Sequence, residues 1–147
     1  MNYTAEQQEH IVAKSFLSEM IGHGFHVRVH EGEDWAGGST RDVKKALSQT
    51  NSTGIDMIHV FLREENLDKA NDVAKEFFAE CKEKSPEKTS FKIGVAEFVF
   101  GNEGYNLINN NTEFLEQFMT KTNKVISELD AGTYKPESRQ KNDELAP

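Results

Sequence analysis

Two short segments carry residue types suited to holding a small anionic ligand with an aromatic ring. The first is Trp35-Ala-Gly-Gly-Ser-Thr-Arg41, set immediately before a stretch of helical periodicity. Gly37 and Gly38 let backbone amides approach a ligand closely, and a helix N-terminus adds about half a positive charge. Ser39, Thr40 and Arg41 supply further donors, so the segment suits a phosphate. It lacks the Gly-Lys-Ser/Thr ending of a P-loop, and an ordinary loop and helix cap would use the same residues. The second segment is Phe100-Gly-Asn-Glu-Gly-Tyr-Asn106. Its Asn102, Tyr105 and Asn106 set a ring beside amides, the groups that stack on a base and read its edge. Gly-Asn-Glu-Gly is equally a routine hairpin turn.

Other chemistries find less support. Of the five histidines, His26 and His30 share a strand face with Arg28 between them, and a cation there opposes a metal. No metal or other cofactor is expected. Glu31, Glu33 and Asp34 crowd one loop, a pattern that serves acid–base chemistry or plain solvation. Cys81, the single cysteine, falls on an apolar helix face and reads as a buried small hydrophobe. Nothing assembles a nucleophile, a base and an oxyanion hole, so no catalytic residue is assigned and binding is favoured over catalysis.

The 147 residues suffice for one domain, and ten phenylalanines supply a core. The formal charge of −8 repels phosphate backbones at long range, which argues against a stable nucleic-acid partner. The same charge would let the chain mimic nucleic acid against a basic protein. One cysteine leaves no disulfide framework. No apolar run approaches the roughly 20 residues a membrane span requires, so no membrane partner is expected and the cytosol is the expected compartment.

The elements that must position these segments follow from periodicity. Thr4 and Gln7 form a capping-box pattern ahead of Val12, Phe16, Leu17, Met20 and Ile21 at helical spacing. Gly22 and Gly24 stop that helix, and Phe25, Val27 and Val29 alternate with His26, Arg28 and His30 as a half-buried strand. A short helix capped by Ser39 or Thr40 should bury Val43, Ala46 and Leu47. Asn51 to Gly54 reads as a turn, and Ile55 to Leu62 as a central strand. Asn66 is expected to cap a third helix with Leu67, Ala70, Val73, Ala74, Phe77, Phe78 and Cys81 on one face. Phe91 to Phe100 is a strand whose parity slips beside Gly94, suggesting a β-bulge near Ala96 and Glu97. Tyr105 to Asn111 suits a short returning strand. A last helix from Asn111 or Thr112 should bury Phe114, Leu115, Phe118, Met119, Thr122, Val125, Ile126 and Leu129. The whole reads as one α+β domain over residues 1–131, with three or four largely antiparallel strands, about four helices and long terminal helices. Residues 132–147 read as a flexible polar tail.

Two runs also carry a resemblance: Phe25-His-Val-Arg-Val-His-Glu-Gly-Glu-Asp-Trp35, followed by Ser39, Thr40 and a short helix, and Phe98-Val-Phe-Gly-Asn-Glu-Gly-Tyr-Asn-Leu-Ile108. They resemble the Val-x-Asp-Gly-Glu-x-Trp and Tyr-Gly-Asn-x-Gly-Trp-x-x-Ile signature of small phage and prophage proteins, most closely the anti-Thoeris sponges that sequester a cyclic ADP-ribose signal. The likeness covers about residues 10 to 115, with Asn66 to Ser90 standing as an insertion. Gly38 and Ser39 depart from the basic pair that such relatives carry. The resemblance implies a homo-oligomer with pockets between protomers and a small phosphorylated nucleotide left unhydrolysed. Trp35, Gly37, Gly38, Ser39, Arg41, Phe100, Asn102, Tyr105 and Asn106 are then the candidate ligand-binding residues. The rival expectations are an acidic protein-binding inhibitor, such as an anti-CRISPR or DNA mimic, and a small hydrolase using the 31–34 carboxylates.

Overall fold

In a computed structural model the described residues are 3–31, 33–50, 55–101, 104–109 and 112–135. The chain begins with helix α1 (Ala5–Gly22), whose Thr4 cap and Gln7 form the expected reciprocal box. Gly24 follows with φ +92°, a left-handed turn that glycine adopts without a β-carbon penalty. Strand β1 (His26–His30), helix α2 (Val43–Ser48) and strand β2 (Ile55–Arg63) come next. A 3₁₀ segment (Glu64–Lys69) leads into α3 (Asp72–Lys84), then strands β3 (Ser90–Gly101) and β4 (Gly104–Asn109). Helices α4 (Thr112–Glu116) and α5 (Thr120–Ala131) close the described chain.

The four strands form an antiparallel meander in the order β1-β2-β3-β4, so the fold is α+β with β2 central, as the sequence implies. One face of the sheet is apolar and closed: Val27, Val29, Ile58, Val60, Leu62, Ile93 and Ala96 are buried there. Helix α1 packs across β1, β3 and β4 and against α2 and α5. Phe25 and Phe118 meet edge-to-face at 5.0 Å, and Phe78 meets Phe91 at 5.2 Å.

Five expectations are corrected. Asp42, not Ser39 or Thr40, caps α2, its carboxylate accepting from the Lys45 amide at 3.2 Å. Asn71, not Asn66, caps α3, because Glu64–Lys69 winds as a 3₁₀ segment and Val73 stands 43% exposed. The register slips between Val60 and Phe61, opposite Gly94 and Lys92, so Ile93 is the extra residue and the bulge precedes Ala96. The last helix is broken into α4 and α5, since the buried Glu19 carboxylate takes the Lys121 and Thr122 amides at 2.8 Å each and starts a new helix there. Cys81 is half-buried rather than buried, and partial burial raises its thiol pKa. The expected turn at 51–54 and most of the expected tail lie outside the described residues.

Candidate functional site

The loop from Trp35 to Arg41 does not hang in solvent. It runs back antiparallel along the outer edge of β1 as an irregular extra strand. Val27 and Thr40 exchange backbone hydrogen bonds at 3.0 and 2.8 Å, and the Ala36 amide donates to the Val29 carbonyl at 2.8 Å. Trp35 forms an isolated bridge to His30. This pairing fixes which loop residue meets which strand residue: Trp35 lies beside His30, and Ser39 to Arg41 lie beside His26 and Val27.

The second face of the sheet, away from the core, supplies the partners. Alternation puts His26, Arg28 and His30 of β1 on that face. Antiparallel register sets them against Phe61, His59 and Met57 of β2. The Arg28 guanidinium lies 4.1 Å from the Trp35 ring centroid, a cation–π contact, while its Nε donates to the Gly37 carbonyl at 2.7 Å. His59 and His30 approach the same indole at 4.6 and 5.0 Å, both edge-to-face. The His59 pKa is pushed down to about 4, chiefly by burial and then by Lys92, His30 and Arg28. Its imidazole is therefore neutral at pH 7 and lies among cations without repelling them. Its Nδ1 is buried with no hydrogen-bond partner among the described residues.

At the other end of the face, Arg41 donates to the Asn66 side-chain oxygen at 3.2 Å, and Asn66 Nδ2 lies 3.2 Å from a His26 ring nitrogen. The same amide nitrogen lies 3.2 Å from the other His26 ring nitrogen as well, and burial, followed by Arg63, lowers the His26 pKa. Arg63 donates to the Ser39 hydroxyl and pairs with Glu65 at 3.3 Å.

The structure thus sets Trp35 and Gly37 around Arg28 at one end of the outer face, and Ser39 and Arg41 beside Arg63 and Asn66 at the other. Gly38 is exposed on the same loop. It gives Gly37 a different role from the expected amide donor: a β-carbon there would collide with the Gln49 side-chain amide, and its carbonyl is held by Arg28. The expected phosphate seat at the α2 N-terminus is taken by the carboxylate of Asp42, and α2 has only 6 residues. Phe100 pairs with Tyr105, and Asn106 with Val99, at the β4 edge. Strands β2 and β3 separate that edge from β1, about 14 Å at ordinary strand spacing. One chain therefore does not bring these residues to Trp35. Asn102 lies outside the described residues.

Arg28, His59, Arg63 and Asn66 were not among the sequence candidates. Their signal was the pairing of two alternations, His-x-Arg-x-His over 26–30 and His-x-Phe-x-Arg over 59–63, which become one face only once the strands are laid side by side. Lysines alternate in sequence with the acidic residues of the 3₁₀ segment and α3. Lys69, Lys75, Lys82 and Lys84 interrupt them, and Lys82 pairs with Glu64 at 3.4 Å. Glu33 and Asp34 are exposed, and Asp34 accepts from the Trp35 amide at 2.8 Å. Among the described residues no group of three or more His, Cys, Asp or Glu is placed to hold a metal. No helix among them is long and apolar enough to cross a membrane. Comparison with known protein families, characterised proteins and solved structures finds no match for this chain.

Proposed function

We propose that the protein is a non-enzymatic binder that sequesters a small phosphorylated nucleotide, of the cyclic ADP-ribose kind, as a phage anti-defence protein does. The observation that carries the reading is charge placed against the trend of the chain. With a formal net charge of −8, the protein still sets Arg28, Arg41 and Arg63 on one strip with an indole and three imidazoles. Cations interleaved with ring faces are the combination that holds an anionic ligand carrying a base. Arg28 takes one face of the Trp35 ring, so a ligand base stacks on the opposite face or on the guanidinium plane.

The cyclic ADP-ribose-like class and the anti-defence role rest on the resemblance of the Phe25–Trp35 and Phe98–Ile108 runs to anti-Thoeris sponges. Within that reading Phe100, Asn102, Tyr105 and Asn106 belong to the pocket of a second copy. Strand β4 lies at the sheet edge opposite β1, and in the sponge reading a second copy of the chain brings its β4 edge to this Trp35. Titration calorimetry against cyclic ADP-ribose isomers tests the reading, with recovery of the ligand after heat denaturation. A saturable heat and intact ligand are expected. No heat with any isomer, or recovery of a cleaved product, would end it.

A further inference from the structure

The end of the outer face remote from Trp35 gathers side chains from three separate segments. Ser39 and Arg41 come from the loop, His26 and Arg63 from β1 and β2, and Glu65 and Asn66 from the 3₁₀ segment. Two guanidiniums stand here, and of the carboxylates only Glu65 pairs with the cluster among the described residues. It lies 3.3 Å from Arg63 Nη1 and 3.9 Å from His26 Nε2. The remaining partners of the two arginines, Asn66 and Ser39, are neutral, so a positive charge is left over. Both arginines also keep a buried Nε with no hydrogen-bond partner. Glu65 itself is 64% exposed and Arg63 35%, so the pair is a surface contact that water and salt weaken.

We propose that this cluster is an anion subsite for a phosphate or pyrophosphate group, and that the Glu65 carboxylate occupies the place such a group takes. A guanidinium presents a planar fork that matches phosphate as well as carboxylate, so the exchange replaces one anion by a more highly charged one. Asn66 holds Arg41 and Ser39 holds Arg63, so the forks are oriented before a ligand arrives. The subsite also gives the face a direction. His26 and His30 lie four residues apart on β1, about 13 Å, so the anion end and the Trp35 end suit the two halves of one extended molecule of nucleoside-diphosphate length. The ring half rests on the function proposed above, whereas the anion subsite stands on the arginine cluster alone.

The test uses the full chain labelled with ¹⁵N and two separate probes, inorganic pyrophosphate and adenosine. Pyrophosphate is expected to shift the Arg41 and Arg63 side-chain signals saturably. Arg63→Gln should weaken that binding on the order of tenfold. Glu65→Gln should strengthen it about two- to fivefold, the worth of one exposed ion pair. Glu65→Gln alters an exposed side chain, so it reads the proposal even if Arg63→Gln perturbs the fold. Failure of pyrophosphate to shift either arginine, or Glu65→Gln binding that is unchanged or weaker, would overturn the subsite. If adenosine alone quenches Trp35 fluorescence while pyrophosphate leaves the arginines untouched, the subsite fails and the ring reading survives. The opposite pattern keeps the subsite and removes the ring reading.

Discussion

The two faces of the sheet treat their polar groups in opposite ways. On the helix-covered face, Glu19 is buried, and its carboxylate receives three donors: the Lys121 and Thr122 amides at 2.8 Å and the Thr122 hydroxyl at 2.7 Å. It caps α5 and ties that helix to α1 across 102 residues of sequence. On the outer face, His59 Nδ1, Arg41 Nε and Arg63 Nε are buried without partners. A satisfied buried charge holds elements together, whereas buried donors and acceptors left incomplete lower stability. Tyr3 Oη and Gln49 Oε1 are further such atoms. In the proposed function, stability and binding fall on opposite sides of the four strands.

That contrast can be broken by substitution. The largest effect belongs to Glu19→Ala, which strands two helix amides and a hydroxyl and should cost roughly 2–4 kcal/mol of unfolding free energy. Chemical denaturation measures this, and binding of nucleotide to the outer face by the folded fraction should be unchanged. Arg28→Gln inverts the pattern. Removing the charge over Trp35 should weaken nucleotide binding on the order of tenfold, about 1.4 kcal/mol, with a much smaller change in the denaturation midpoint. A smaller loss, about 1 kcal/mol, is expected for Asp42→Ala, which removes the α2 cap and leaves the Trp35 contacts in place.

The outer face also responds to acid in a defined direction. His59 titrates near 4 in the folded protein and near 6.5 when unfolded. Between those values the unfolded chain binds the extra proton. The contribution of neutral His59 is therefore complete above about pH 6.5 and is lost as pH falls toward 4. His26, whose pKa is also lowered by burial, acts in the same sense. An NMR titration should find the His59 midpoint near 4, and a midpoint near 6.5 would set that ring in open water. The smallest effect is expected at Gly37→Ala. The clash falls on the flexible Gln49 side chain, so stability should change by less than about 1 kcal/mol while Trp35 fluorescence reports the displaced loop.

The legibility of the chain follows the same division. Local signals carried through: the Thr4–Gln7 box, the alternation of 25–30 and the apolar run into β2 all mark real elements. What failed were choices between neighbouring polar residues, Asn66 against Asn71 and Thr40 against Asp42, where either side chain is a competent cap. Tertiary partners decided both. Asn66 is drawn to Arg41 and His26, and Thr40 bonds β1 while its hydroxyl accepts from the Asp42 amide at 3.0 Å. The break before α5 was invisible locally because its cause, Glu19, lies in the first helix. Half of the candidate site was legible for a similar reason. The Trp35–Arg41 loop announces itself by composition, but Arg28, His59 and Arg63 read as ordinary outward-facing strand residues until register brings them together.

Amide chemical-shift mapping with ADP-ribose on the ¹⁵N-labelled protein addresses the division of labour most directly. Perturbations confined to residues 26–30, 35–41 and 59–66 are expected, with the Glu19–Thr122 contact silent. Shifts centred instead on α1 and α5, or no saturable shift at any residue of the β1–β2 outer face, would contradict the assignment of binding to that side of the sheet.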